Sequence, residues 1–249
     1  MIFNHTPRGC VVSYQAQPLT PNTLTYKSMS QRPFHLIILG LPGAGKGTQG
    51  KLIKERFGLS YLSTGDLIRK LCINTDDKNP FYIKVRDRCN KGIPQPDDII
   101  VEIVKKKLKT IDLKKGIIFD DFPLSMPQVE DLEKIIEDFD LPCPTLLYID
   151  VSEKEVVKRL GKRKFCPKCN TVFYPASPEY ENGKCSNCGG KITVREDDKP
   201  EVVERRLEEY KKRIAPIMKY YNEKDRLIKI NGEQSIGKVF AEILDKLEV

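Results

Sequence analysis

Apolar positions along this chain fall into two alternating patterns. Short runs of consecutive aliphatic residues, His35–Leu39, Gly116–Asp120, Leu146–Asp150 and Leu227–Ile230, read as strands buried on both faces. Between and after them apolar residues recur at helical spacing, so the unit is strand then helix. That alternation predicts an α/β domain built on a parallel sheet. Two segments interrupt it: a helical insert from about Asp66 to Leu108, and a Cys-, Pro- and Gly-rich insert from about Gly161 to Asp198. Inserts at strand ends are where α/β proteins build sites. No internal repeat is visible, which argues against a solenoid.

The first 33 residues stand apart from this pattern. They carry no acidic residue, are rich in Ser, Thr, Pro and Gln, and hold no apolar period. They read as an extension outside the core, an unstructured leader or a targeting segment. Only Arg8, Lys27 and Arg32 are charged, and the arginine-rich amphipathic helix of an organelle signal is missing. Cytoplasmic and mitochondrial placement both stay open. Residues 34–249 form the body.

Composition narrows the class. A chain of 249 residues can bury a core without disulfide support. Mean hydropathy is −0.43, and no apolar run approaches the roughly 18 residues of a membrane helix, so no membrane span is expected. Lys and Arg number 43 against 35 Asp and Glu, a net charge of +8 that favours an anionic partner: nucleotide, nucleic acid or anionic lipid. Of eight cysteines, four form two tight pairs, Cys166/Cys169 and Cys185/Cys188, with fifteen residues between the pairs. Such pairs are metal knuckles more often than disulfides, and four thiolates close a tetrahedral shell best suited to zinc. A closed shell leaves no position for substrate, so the role expected is structural.

The sharpest motif is Gly40-Leu41-Pro42-Gly43-Ala44-Gly45-Lys46-Gly47-Thr48, between the first strand and a helical pattern running to Phe57. Its glycines allow backbone N–H groups to turn inward around phosphate oxygens, the helix start adds partial positive charge, and Lys46 supplies a full one. The common pattern puts Ser or Thr directly after the lysine. Here Gly47 intervenes, so a metal ion bound with the nucleotide loses a direct hydroxyl ligand at that place.

With Ser63-Thr64-Gly65-Asp66-Leu67-Ile68-Arg69, this loop strongly resembles the adenylate kinases in their long-lid, zinc-bearing form, from about His35 to the C-terminus. The resemblance implies a five-stranded parallel sheet of P-loop NTPase type, a monophosphate-binding insert at 63–96 and a zinc-ribbon lid at 161–198. It also implies a monomer that converts ATP and AMP into two ADP with magnesium. Gly43, Ala44, Gly45, Lys46, Gly47, Thr48, Arg159, Arg163 and, for the donor base, Lys229 then fall at ATP-site positions. Thr64, Gly65, Arg69, Ile93, Gln95, Gln128, Arg195 and Arg206 fall at AMP-site positions, Gln128 to read the adenine edge. Lys46, Arg163, Arg195 and Arg206 would neutralise charge during transfer, with Asp120 near the magnesium and its waters. Asp197 and Asp198 would pair with arginines as the lid shuts.

The chain departs from the family at Asp121, which replaces a glycine, and at Leu124, which replaces an arginine that clamps the AMP phosphate. Pro94 and Gln95 replace an apolar pair, and Lys162 a glycine. Two other readings therefore stand beside the kinase: a nucleotide-binding regulator impaired in catalysis, and a GTP:AMP phosphotransferase. A nucleic-acid role for the ribbon, through Phe165, Phe173 and Tyr174 beside Lys162, Arg163, Lys164 and Lys168, is the remaining rival. No nucleic-acid partner is expected, because the glycine loop and its arginines already account for the basic charge.

Overall fold

A computed structural model describes residues 34–73, 80–90, 95–175, 177–195 and 198–247. Its main sheet has five parallel strands: β1 (Leu36–Leu39), β2 (Ser60–Ser63), β3 (Ile117–Asp120), β4 (Thr145–Asp150) and β7 (Leu227–Asn231), in the order β2-β3-β1-β4-β7. The four residues of β1 are at most 1% exposed, because the central strand is covered on both faces and its backbone is shared with β3 and β4. That explains a continuous aliphatic run rather than alternation.

Helices cover the sheet in the order the periodicity predicts. They are α1 (Lys46–Phe57), α2 (Thr64–Ile73), α3 (Pro80–Asn90), α4 (Asp97–Leu108), α5 (Met126–Asp138), α6 (Glu153–Gly161), α8 (Pro200–Glu223) and α9 (Ile236–Lys246). The longest, α8, spans about 36 Å at 1.5 Å per residue. Its buried stripe, Val203, Leu207, Tyr210, Ile214, Ile217 and Tyr221, recurs every three or four residues and joins the main core. Two smaller clusters stand outside that core. Val85, Ile99 and Ile103 pack with Leu67, Ile68, Leu71 and Phe81 between α2, α3 and α4. Cys166, Phe173, Cys185 and Ile192 pack with Tyr180 in the second insert, which holds β5 (Lys164–Phe165), β6 (Val172–Phe173) and the short α7 (Pro178–Asn182).

The strand missing from the apolar pattern is β2. Ser-Tyr-Leu-Ser lies at the sheet edge and pairs on one side only, with β3, so half its positions need not be apolar. Strand order reverses around β1, and a crevice forms there at the carboxyl ends of the strands. The glycine loop and Asp120 both sit at that end.

Candidate active site

The glycine loop leaves β1 and enters α1 through Gly45, which caps the helix at φ 102°. Gly43 has φ 91°, and a Cβ there would stand 2.9 Å from the Leu160 side chain, so neither the backbone nor the space tolerates another residue. Lys46 is only 7% exposed and folds back inside the loop. Its ammonium donates to the Gly40 carbonyl (2.6 Å) and the Leu41 carbonyl (3.1 Å) and pairs with Asp121 at 3.5 Å.

Behind the lysine lies a knot of polar groups at the end of β3. Asp120 is buried, with one carboxylate oxygen accepting from the Tyr61 hydroxyl and the other without a hydrogen-bond partner among the described residues. Burial, reinforced by the neighbouring Asp121 charge, pushes its carboxyl up to about 7, against the pull of Lys46 and the Tyr61 bond. Asp121 adopts φ 58°, a left-handed conformation that Asp tolerates better than most residues. Tyr210 donates to its Oδ1 (2.8 Å) and accepts from the Gly40 amide (3.2 Å), and the Asp121 carbonyl accepts from the Thr64 hydroxyl (2.9 Å).

A cavity of about 520 Å³ opens over this knot. It gathers Gly43, Gly45, Lys46, Gly47, Thr48, Gly65, Arg69, Asp120, Arg163, Arg195 and Arg206 from the residues expected in the site. Segments separated by more than 150 residues thus meet around one space. Arg69 pairs with Asp66 at 2.6 Å. Arg163 makes a two-pronged contact with the fully buried Asp198 (2.8 and 2.6 Å), and Arg206 stands 3.6 Å from the same carboxylate. Arg195 stacks over the Phe165 ring at 4.9 Å. Asp198 therefore holds two guanidiniums in fixed planes at the cavity wall.

The other expected residues lie apart from the cavity lining. Ala44 is buried beneath the loop, and Thr64 faces Asp121 rather than the cavity. Arg159 bonds to Glu155 (2.9 Å) and the Gly232 carbonyl (3.0 Å). Gln95 donates to the Val85 carbonyl at 3.0 Å, and Gln128 is 2% exposed with both amide ends in use, accepting from the Leu124 amide (2.8 Å) and donating to Asp97 (2.7 Å). Lys229 is exposed on β7 beside a second, separate cleft with Asp150, Ser152 and Glu242. Ile93, Pro94 and Asp197 lie outside the described residues. Sequence reading passed over Tyr61, Tyr210 and Arg213. The two tyrosines look like ordinary core positions at strand or helix spacing; for Arg213 the only signal is its spacing of seven from Arg206, which places both on one helix face.

In the second insert the four cysteine sulfurs lie within 4.8 Å of one another, with Cys166 and Cys188 at 3.4 Å and Cys169 and Cys185 at 3.5 Å. Zinc–sulfur bonds of about 2.3 Å put the corners of a tetrahedron about 3.8 Å apart, so the donor set and its spacing fit zinc. The knuckles are backbone-built: Asn170 N–H donates to the Cys166 carbonyl and Gly189 N–H to the Cys185 carbonyl, each at 2.8 Å. A Cβ on Gly190 would stand 2.9 Å from the Cys166 sulfur. No helix among the described residues is long and apolar enough to cross a membrane.

Comparison with known proteins agrees with this geometry. The family model for adenylate kinase matches residues 38–226. An adenylate kinase of Caldicellulosiruptor saccharolyticus is 38% identical over 215 residues, covering 86% of this chain and 99% of the relative. One from Lactobacillus johnsonii is 41% identical over 215 residues (86% and 97%), and one from Archaeoglobus fulgidus is 36% identical over 215 residues (86% and 98%). Matches of this length and identity, carried by a chain whose glycine loop and arginines meet around one cavity, place it in the adenylate kinase family: it is a nucleoside monophosphate kinase.

Proposed function

We propose that the enzyme transfers the terminal phosphoryl group of ATP to AMP, giving two ADP. The observation that carries this reading is the convergence of Lys46, Arg69, Arg163, Arg195 and Arg206 on one cavity. Phosphoryl transfer is chiefly a matter of positioning two anions in line and spreading their charge, and positive groups around one space do both. The acceptor phosphate is already anionic, so no strong base is needed. Its oxygen forms the new bond to the γ-phosphorus as the bond to the β-bridging oxygen breaks, and the electron pair leaves on ADP.

The residues then divide by place. The amides of residues 43–48 and Lys46 hold the donor phosphates, with Lys46 exchanging its carbonyl partners for phosphate oxygens. Arg69, beside Gly65, takes the acceptor phosphate. Arg163, Arg195 and Arg206 neutralise the group in transit, the first and last oriented by Asp198. Asp120, with its unpartnered buried oxygen, and Thr48 are the cavity residues suited to a magnesium ion and its waters. When bound, that ion would neutralise charge on the phosphates between which the group is transferred. The four cysteines hold a structural zinc that braces a lid whose own core is only a few residues.

AMP-dependent formation of ADP from ATP is the test, read against a Lys46→Ala control, with GTP offered in parallel as donor. Wild-type turnover no higher than the control sinks the reading, and turnover faster with GTP redirects it. The second reading, a nucleotide-binding regulator, is favoured by Asp121, whose carboxylate occupies Lys46 at 3.5 Å. It expects ATP binding without transfer.

A further inference from the structure

Arg213 has no task in the reading above, and its surroundings assign it one. It stands on α8 seven residues after Arg206, two turns along the same face, and lines the same cavity as Lys46, Arg69, Asp121 and Leu124. It is half-buried, and among the described residues it makes no hydrogen bond and no ion pair. Lys46 has Asp121, Arg69 has Asp66, and Arg163 and Arg206 share Asp198. Glu209, one turn before Arg213, also lines the cavity, yet it is exposed and stays beyond ion-pair distance. A guanidinium withdrawn from part of its water with no partner is matched to an anion that arrives from outside.

The register of α8 bears on which anion. Tyr210 is anchored to Asp121 at the end of β3, and further along Tyr220 bonds to Glu133 of α5, which Lys224 also reaches at 3.3 Å. From β3 onward α8 therefore runs alongside α5 in the same direction. Arg213 falls between these anchors along α8, and Leu124, which precedes α5, lines the same cavity, whereas Arg206 sits two turns back beside Asp198 and the lid. The donor phosphates belong at the glycine loop. Arg213 and Leu124 line this cavity together with Arg69, the guanidinium assigned above to the acceptor phosphate, and Leu124 brings no charge to it.

We propose that Arg213 grips the phosphate of the acceptor nucleoside monophosphate from α8, in the cavity that Leu124 also lines, as a specificity-determining cation of this enzyme. The inference rests on the acceptor reading above. The planar fork of Arg213 meets two phosphate oxygens in a preset parallel geometry that a lysine ammonium lacks.

Steady-state kinetics of Arg213→Ala test it. The KM for AMP rises at least tenfold while the KM for ATP stays within twofold, and the thermal midpoint is unchanged. Arg213→Lys falls between wild type and Ala. Adding Leu124→Arg to Arg213→Ala recovers much of the lost affinity, because a guanidinium returns to the same cavity. An unchanged KM for AMP, or equal rises in both KM values, overturns the proposal. Should the Ala variant fail to fold, Arg213→Lys decides: a KM for AMP within twofold of wild type overturns it. If wild type shows no AMP-dependent turnover, the functional reading fails by itself. Arg213 is then judged by calorimetric titration of AMP into wild type and Arg213→Lys, where equal affinities overturn the proposal.

Discussion

The Tyr210 hydroxyl donates to Asp121 at 2.8 Å while accepting the Gly40 amide at 3.2 Å, so one buried oxygen ties α8 to the ends of both β1 and β3. Removing it leaves a buried N–H unpaired and a carboxylate short of its donor. Tyr210→Phe is expected to lower stability by about 2 kcal/mol, the usual cost of losing a buried bond to a charged group. Denaturant unfolding of the two proteins checks this, and a change under about 0.5 kcal/mol contradicts it.

Asp121 acts on the lysine it faces. Its carboxylate occupies the ammonium that a nucleotide phosphate must recruit, and its backbone takes a left-handed conformation in which glycine is more at ease. Asp121→Gly therefore removes an internal competitor and some backbone strain together. The pair is partly exposed, which limits its worth to about 1 kcal/mol. The KM for ATP is expected to fall about fivefold by that figure, and a rise in KM counts against the competition.

The buried Asp120 makes stability depend on pH in an unusual direction. Folding raises its carboxyl from the ordinary 3.8 to about 7 through burial and the Asp121 charge. Between those values the folded chain holds a proton that the unfolded chain has released. The contribution of this group is thus full below about pH 4 and is lost as pH climbs toward 7. Asp120→Asn abolishes that loss, so its stability relative to wild type improves from pH 4 to pH 7 by an amount on the order of a few kcal/mol. A difference between the two proteins that does not vary with pH refutes the assignment.

Metal removal separates the lid from the rest. The lid's own cluster holds little beyond Cys166, Phe173, Cys185, Ile192 and Tyr180, whereas the main core is wholly elsewhere. Chelation, or Cys185→Ser, is expected to abolish transfer and expose the lid to proteolysis while most helical circular dichroism survives. Elemental analysis should give one zinc per chain before treatment. Full activity of a metal-free preparation is the contrary result.

Several features were legible in the chain because they depend on local chemistry. The strand β1 shows as an aliphatic run since a doubly covered strand needs one, and the glycine loop shows because only Gly suits the turn before Lys46. The four cysteines show because knuckle geometry demands their spacing. The edge strand β2 was illegible to periodicity, being half polar where the sheet stops. The state of Gln128 was equally hidden, since its partners Leu124 and Asp97 are fixed by the packing of α5 against α4, not by its neighbours in sequence.

By itself, the order of residues determined that strands and helices alternate, that a loop with inward-facing amides precedes α1, and that four thiolates can share an ion, since each follows from spacings within a few residues. Only the tertiary structure decided that Asp121 and Tyr210 hold the lysine loop and that Arg206 and Arg213 face one cavity. It also settled which arginines share the carboxylate of Asp198, a pairing the family resemblance had implied without choosing between them: Arg163 and Arg206. Those relations join groups up to 170 positions apart, and no local periodicity encodes a contact that exists only once the chain has closed on itself.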